Sequence, residues 1–493
     1  MRAHRTALLC MVALLAVASD TVFAQKMSGR GPSPNVGVSR PTTTPDGPSK
    51  GGGGYPGGGY RGPRWGGVVP GIVVGLPQGD PTGPYIVDDG PPGPRRSQAN
   101  RRGQSGAPAA NERRLVPDEV VIELPNSVSA QQIDALQRRH RLTRLESQSF
   151  QLLGTTLYRW QIPDRRSVAT VVRELETDRL VAWAQPNYLF ALQQNETKSE
   201  GDPAQYGLTK LRLPQAHSLA KGDNILVAVI DSGIDGNHPE LAGSIAGTFD
   251  VLSAPATPHQ HGTAIASLIA AHGKLMGSAP DAKILAVRAF DPKDAGAEST
   301  TFNILKSLDW AAAQRARVIN MSFAGPADPA IHRSLEAARK KGIVLVAAVG
   351  NAGAKSPPLY PAADPNVIAV SATDADDKLF EQSNRGRHIT VAAPGAQILV
   401  AIPDNGYEVS SGTSYSAAEV SGIVALMLQR QPGLTPEKVK AILRATAKDL
   451  GPKGPDEMFG AGLADAYGAI TAEIAPAAAA GRRPVERVST GAR

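Results

Sequence analysis

From about residue 203 onward, unbroken apolar runs alternate with stretches of helical period. Residues 225–230 are six apolar residues in succession, the pattern of a strand buried on both faces. Similar runs stand at 284–287, 318–319, 343–348 and 367–370. Between them the spacing predicts helices over 263–271, 301–315 and 330–341. A longer helix is predicted over 414–431, and another opens at Thr435-Pro436 with a cap and a proline in its first turn. Strands alternating with helices build a mainly parallel sheet with helices on both faces, an α/β fold.

Ahead of this lies a shorter pattern. Residues 119–124 alternate like a strand, and Ser129 precedes an amphipathic stretch through His140 with Ile133 and Leu136 on one face. Residues 150–162 predict two strands turning at Gly154. Residues 167–177 predict a second helix through Val168, Val171, Val172 and Leu175, and 180–184 a last strand. The order strand-helix-strand-strand-helix-strand is that of a small ferredoxin-like α+β domain, although any small α+β module is compatible with it. A polar linker (193–201) joins the two patterns.

Composition changes the picture at the N-terminus. Gly (51) and Pro (40) are abundant, and with Ser and Arg they dominate residues 25–113, which cannot bury enough apolar surface to order a backbone. A disordered arm is expected there. Tyr55, Tyr60 and Trp65 could tether it to a surface; a solvated flexible arm is the plainer expectation. The net charge of +7 sits in the leader, where residues 1–114 hold 14 Lys/Arg against 6 Asp/Glu. The folded part is therefore near neutral, which excludes a nucleic-acid-binding domain with its positive stripe on the fold.

Arg2 and Arg5, an apolar stretch over 7–18 and the small-residue pattern Val22-Phe23-Ala24 read as an export signal, placing the protein in a periplasm or outside the cell. The stretch is shorter than the ~20 residues of a membrane span. The sole cysteine, Cys10, lies within it, so the mature chain has no thiol and cysteine chemistry is excluded. The expected organisation is a signal peptide (1–24), a disordered Gly/Pro-rich arm (25–113), a small α+β domain (114–195), a large α/β domain (203–472) and a flexible tail (473–493).

Three segments of the large domain carry chemistry: Asp231-Ser232-Gly233, His261-Gly262-Thr263 and Gly412-Thr413-Ser414. Singly, each reads as a turn or a helix cap. Together, at predicted element boundaries, they supply the carboxylate, imidazole and hydroxyl that turn serine into an acyl acceptor at neutral pH. His261 would take the serine proton as general base, and Asp231 would hold its tautomer. Ser414 at a helix N-terminus gains backbone donors and the helix dipole. Asn351, after the strand 343–348, offers an amide to a developing oxyanion; a left-handed turn residue is the competing reading.

On these segments residues 203–470 resemble the subtilisin-like serine proteases (subtilases), whose Asp-His-Ser chain order they share. Val349-Gly350-Asn351-Ala352-Gly353, Val420-Ser421-Gly422 and Gly277-Ser278-Ala279-Pro280 extend the match. The resemblance implies a serine endopeptidase acting on proteins or peptides through an acyl-enzyme. The domain before it resembles the family's inhibitory propeptide, down to Gln185-Pro186-Asn187-Tyr188. It implies a zymogen that is cut by its own peptidase, with a mature start between about residues 192 and 206. Ser322, Phe323 and Ala324 are expected to pair with substrate backbone as an added strand. Ala348, Val349 and Gly350 are expected to wall the primary pocket.

The sequence departs from the family where Ala418 replaces a usual proline and Ala324 a usual glycine, the latter adding a methyl to the cleft. The alternative role is a weakly active homologue that binds rather than cleaves. An α/β-hydrolase is disfavoured because Gly412-Thr413-Ser414-Tyr415-Ser416 lacks the second glycine of a nucleophile elbow, and a sedolisin-type acid peptidase because of His261. No cofactor is needed for the chemistry. Structural calcium is open: no Asp-x-Asp-x-Asp-Gly loop occurs, and Asp374, Asp376 and Asp377 form the tightest acidic cluster.

Overall fold

A computed structural model describes residues 105–193, 205–252, 255, 257–293 and 296–472. The export leader, the arm up to residue 104, the linker from 194 to 204 and the tail from 473 lie outside the described residues.

The small domain runs β1 (Leu115–Leu124), α1 (Ala130–His140), β2 (Thr143–Phe150), β3 (Thr155–Gln161), α2 (Val168–Glu176) and β4 (Trp183–Leu192). Its strands lie in the order β2-β3-β1-β4, each pair antiparallel, which is the βαββαβ topology that the pattern predicts. Helix α1 begins where Ser129 and Gln132 form a reciprocal capping box, and ends at Arg141 in the left-handed conformation (φ 54°). Val120, Ile122 and Leu124 of β1 pack on Ile133 and Leu136 of α1 and Val171, Val172 and Leu175 of α2. Two boundaries differ from the sequence pattern. Strand β2 lies over 143–150, ahead of the predicted start, because most of it is exposed and carries no apolar alternation. Strand β4 continues eight residues past Ala184, and its far end leaves the small domain. Residues before the first strand are also anchored: Gly106 N donates to Glu176 Oε1 at 2.5 Å, and Ala107 packs on the small core.

The large domain opens with short helices α3 (Tyr206–Lys210) and α4 (Leu213–His217), then β5 (Leu226–Asp231), β6 (Ile245–Asp250), α5 (Gln260–Ala270) and β7 (Lys283–Arg288). A hairpin of β8 (Asp291–Lys293) and β9 (Gly296–Thr300) leads to α6 (Thr301–Ala313), β10 (Val318–Met321), β11 (Phe323–Ala324), α7 (Pro329–Lys340), β12 (Val344–Ala348) and β13 (Ile368–Thr373). The chain closes with β14 (Ile389–Pro394), the hairpin β15 (Ile398–Ile402) and β16 (Gly406–Ser410), α8 (Thr413–Arg430), α9 (Pro436–Thr446) and α10 (Ala466–Thr471).

Seven strands form one parallel sheet in the order β14-β13-β12-β10-β5-β7-β6. Alternate residues of each strand enter different cores, which is why the runs are apolar throughout. Val227, Val229, Val318, Val344 and Val346 face α5 and α8, whereas Ala228, Ile230, Ile319, Leu345 and Ala347 face α6 and α7. Helix α8 is buried along its length apart from its last two residues. It crosses the sheet centre as one uninterrupted helix, with Ala418 where the family's proline would stand. Gly422 lets it approach the 277–279 loop, since a Cβ there would stand 2.4 Å from the Ser278 Cβ.

A carboxyl group lies among the buried residues of this helix. Glu419 is 4% exposed and its carboxyl accepts from Ser278 Oγ. Burial, only partly offset by that hydrogen bond, pushes its pKa up to about 7 from 4.5. Ionisation is thus harder in the folded state, and stability present below pH 4.5 is lost as pH rises toward 7. Thermal unfolding across pH 4 to 9 tests this. Glu419→Gln should flatten the decline and exceed the parent by up to about 3 kcal/mol above pH 7. Parallel curves for the two proteins would contradict it.

Candidate active site

The sheet order reverses at β5, whose successors β6 and β7 lie on one side and β10 on the other. Loops diverge at the carboxyl end of such a switch point and leave a crevice there. Asp231 ends β5, Ser322 follows β10, and Asn351 lies three residues past β12. The buried strands therefore deliver all three to one edge.

Asp231 and His261 are both fully buried. His261 Nδ1 donates to Asp231 Oδ1 at 2.7 Å, and the same oxygen accepts from Ser232 N at 2.7 Å and lies 3.1 Å from Ser232 Oγ. A carboxylate taken out of water needs such donors. With its proton held on Nδ1, the imidazole presents a lone pair at Nε2. Nε2 is buried and has no protein hydrogen-bond partner. The approach of α5 to the aspartate loop depends on Gly262, because a Cβ there would stand 2.8 Å from Ser232 O.

Ser414 occupies the first turn of α8. Its Oγ lies 2.5 Å from Gln193 O and 3.1 Å from Ser322 O, and it donates its single proton to this pair of carbonyls. In return Ser322 Oγ donates to Ser414 O at 3.2 Å. The neighbouring Tyr415 ring is 6.2 Å from the His261 ring, so the first turn of α8 lies near the start of α5. No hydrogen bond joins Ser414 Oγ to His261 in this arrangement, because the serine hydroxyl is engaged by Gln193 and Ser322.

Asn351 Oδ1 accepts from Thr413 N (3.1 Å) and Thr413 Oγ1 (2.8 Å), while its Nδ2 is buried without a partner. The left-handed position of this turn is Gly350 (φ 105°) rather than Asn351. Asn351 N donates to Gln193 Oε1 at 3.1 Å. Ala348 packs in the core beneath α8 and Val349 in the opposite core.

The crevice holds a piece of the chain itself. The far half of β4 enters between two strands: Leu189, Phe190 and Ala191 pair antiparallel with Thr300, Ser299 and Glu298 of β9. Ala191 and Leu192 pair with Ala324 and Phe323 of β11, and Gln193 N donates to Ser322 O at 3.3 Å. The Ala324 methyl is accommodated opposite Ala191. Phe190 is buried edge-on against Phe323, with ring centroids 6.1 Å apart, and lies over Gly325, where a Cβ would stand 2.2 Å from its ring. Gln193, which sequence composition assigns to a linker, thus ends in contact with both Ser414 and Asn351. The apolar run 188–192 preceding it was the available signal. Thr413 was legible only as part of its glycine turn.

Among the described residues no group of three or more His, Cys, Asp or Glu side chains is placed to hold a metal ion. In the acidic cluster, Asp377 is paired with Lys210 Nζ (2.8 Å) and Lys448 Nζ (2.9 Å), and Asp374 Oδ1 accepts from the backbone of Asp376 and Lys378. Asp377 is thus charge-compensated by two lysines and Asp374 is turned to the backbone of its own loop, an arrangement that does not gather the carboxylates for a calcium ion.

Residues 222–462 match the model of the Subtilase family. Thermitase from Thermoactinomyces vulgaris is 35% identical over 274 residues, covering 54% of this chain and 95% of thermitase. Subtilisin E from Bacillus subtilis (strain 168) is 34% identical over 292 residues, covering 57% of this chain and 74% of that protein. Among solved structures, fervidolysin from Fervidobacterium pennivorans, described as a keratinolytic enzyme related to subtilisin, aligns with a TM-score of 0.62. That alignment covers 73% of this chain and 61% of fervidolysin at 23% identity, a likeness of fold. Sheet order, crevice and relatives agree: the chain belongs to the subtilase family and is a subtilisin-like serine peptidase.

Proposed function

We propose that this protein is an exported endopeptidase, made as a zymogen that cuts itself between Gln193 and Gln194. One observation carries the reading: the chain's own strand lies paired in the crevice and presents the Gln193 carbonyl to the Ser414 hydroxyl at 2.5 Å. Backbone pairing with β9 and β11 is sequence-tolerant and suits recognition of extended peptides by strand addition. Ser322, Phe323 and Ala324 would hold substrate as they hold β4, with Ala348, Val349 and Gly350 behind the primary pocket.

The chemistry assigned to the side chains follows from their hydrogen bonds. In the proposed reaction the Ser414 hydroxyl gives up Ser322 O and passes its proton to His261 Nε2. Oγ then attacks the carbonyl carbon while His261 accepts the proton, and Asp231 stabilises the imidazolium. Negative charge collects on the carbonyl oxygen, where the unpartnered Asn351 Nδ2 is the donor in reserve. His261 returns the proton to the leaving amine, and water repeats the cycle on the acyl-enzyme. No cofactor enters these steps.

The small domain would remain as an inhibitor until released. Its grip is a mixed one. Gln185 Nε2 and Thr301 Oγ1 donate to the buried Asp328, which also caps α7 through Ala330 N and Ile331 N. Asn187 Oδ1 accepts from Phe302 N at the start of α6, and Arg333 pairs with Glu123 at 2.7 Å. Export by the leader completes the proposal.

Purified wild-type protein should show a mature N-terminus at Gln194, whereas Ser414→Ala should retain the intact precursor. Equal processing of the two would refute self-cleavage. On the mature enzyme, Asn351→Ala should lower kcat by about 10²–10³-fold, with KM nearly unchanged. Asp231→Asn should lower kcat by about 10⁴-fold. Steady-state assays that find either variant within a few-fold of wild type would refute the role given to that residue.

A further inference from the structure

The turn that carries Asn351 is bracketed by a side chain from a different part of the chain. Asn384 is 1% exposed and lies in the loop between β13 and β14. Its Nδ2 donates to Val349 O at 2.8 Å, its Oδ1 accepts from Ala352 N at 2.8 Å, and its own N donates to Gly350 O at 3.0 Å. Three hydrogen bonds thus reach residues 349, 350 and 352, on either side of Asn351. Asn384 makes no hydrogen bond to Asp231, His261, Ser414 or Gln193.

The turn needs this support because nothing regular holds it. Strand β12 ends at Ala348, so residues 349–352 lie outside its ladder with β13 except for one bond from Val349 N to Val370 O. Gly350, at φ 105°, offers no side chain to pack, and the place of its missing Cβ is taken by Asn384, whose Nδ2 would be 2.6 Å away. From the other side Thr413 fixes the Asn351 side chain through Oδ1, and its Oγ1 also accepts from Gly350 N at 3.2 Å. Asn351 is therefore held from two directions: its side-chain oxygen by Thr413 beside the nucleophile, and the backbone on either side of it by Asn384. What is left over is Nδ2.

We propose that Asn384 is a positioning residue that holds the 349–352 turn so that Asn351 Nδ2 stays free and correctly placed for the oxyanion. This rests on the oxyanion role proposed above for Asn351. A donor acts on the transition state only when its position is preorganised, and a displacement of about 1 Å costs on the order of 10²-fold in rate. Without Asn384, Val349 O loses its partner in a buried place and Ala352 N loses its side-chain acceptor, so the turn must shift to find others.

The test uses self-processed enzyme, its active sites counted by titration, with a chromogenic peptide for kcat and KM. The variants are Asn384→Ala, Asn384→Asp, Asn351→Ala and the Asn351→Ala/Asn384→Ala double. Asn384→Ala should lower kcat about 10- to 100-fold with KM within about threefold. In the Asn351→Ala background it should lower kcat no further, because the donor it positions is gone. Asn384→Asp preserves volume and the acceptor for Ala352 N but loses the donor to Val349 O. It should still fall at least about fivefold, and it serves if the alanine variant does not fold. Multiplicative losses in the double variant, or wild-type kcat in Asn384→Asp, would overturn the positioning role while leaving Asn351 its own. Wild-type kcat in Asn351→Ala would overturn the oxyanion reading and this inference with it.

Discussion

The hydrogen bond from His261 Nδ1 to Asp231 Oδ1 is the constraint that the large domain is built around. Both groups are wholly removed from water, so neither is tolerable without the other. Removing the imidazole would leave a buried carboxylate short of a donor, a loss of at least about 1–3 kcal/mol. Much of the local architecture serves that contact. Strand β5 stops at Asp231, whose backbone carbonyl is tied down by Ala289 N and Phe290 N. Ser232 adds its own donors, and Gly262 removes the one side-chain atom that would keep α5 away.

A parallel sheet suits this arrangement because every strand ends at the same edge. Helix α8 then crosses beneath it as a rigid beam, carrying Ser414 and Thr413 in its first turn toward residues delivered by β5, β10 and β12. The proposed nucleophile and oxyanion donor are coupled through Thr413, which bonds Asn351 on one side of Ser414's own backbone. Strand β4 belongs to two sheets in succession. Its first half completes the small domain against β1, and its second half fills the crevice between β9 and β11. The small domain and the strand in the crevice are therefore continuous through β4.

How far the sequence reveals this depends on whether side chains or backbone do the holding. The central strands were legible because both faces are buried and their residues are apolar without interruption. Strand β2 was not, since its exposed residues carry no periodicity, and β14, Ile-Thr-Val-Ala-Ala-Pro, reads as ambiguous although it is wholly buried. The short pairing of β8 with β9 depends on backbone bonds that no composition announces. In the site, Asp231, His261 and Ser414 could be named from residue type beside glycine at element ends. Gln193 looked like linker because its order comes from main-chain pairing. Asn384 looked like any loop asparagine, since its partners are three backbone groups more than thirty residues away.

In the proposed mechanism Ser414 is made nucleophilic by a buried imidazole held on Asp231. A fluorophosphonate probe reacts much faster with an activated serine than with an ordinary hydroxyl, so intact-mass and peptide mass spectrometry of the labelled enzyme reads this out. A single adduct on Ser414 is expected in the mature protein, and none when His261 is replaced by alanine. An adduct on another serine, or undiminished labelling of Ser414 without the imidazole, would contradict it.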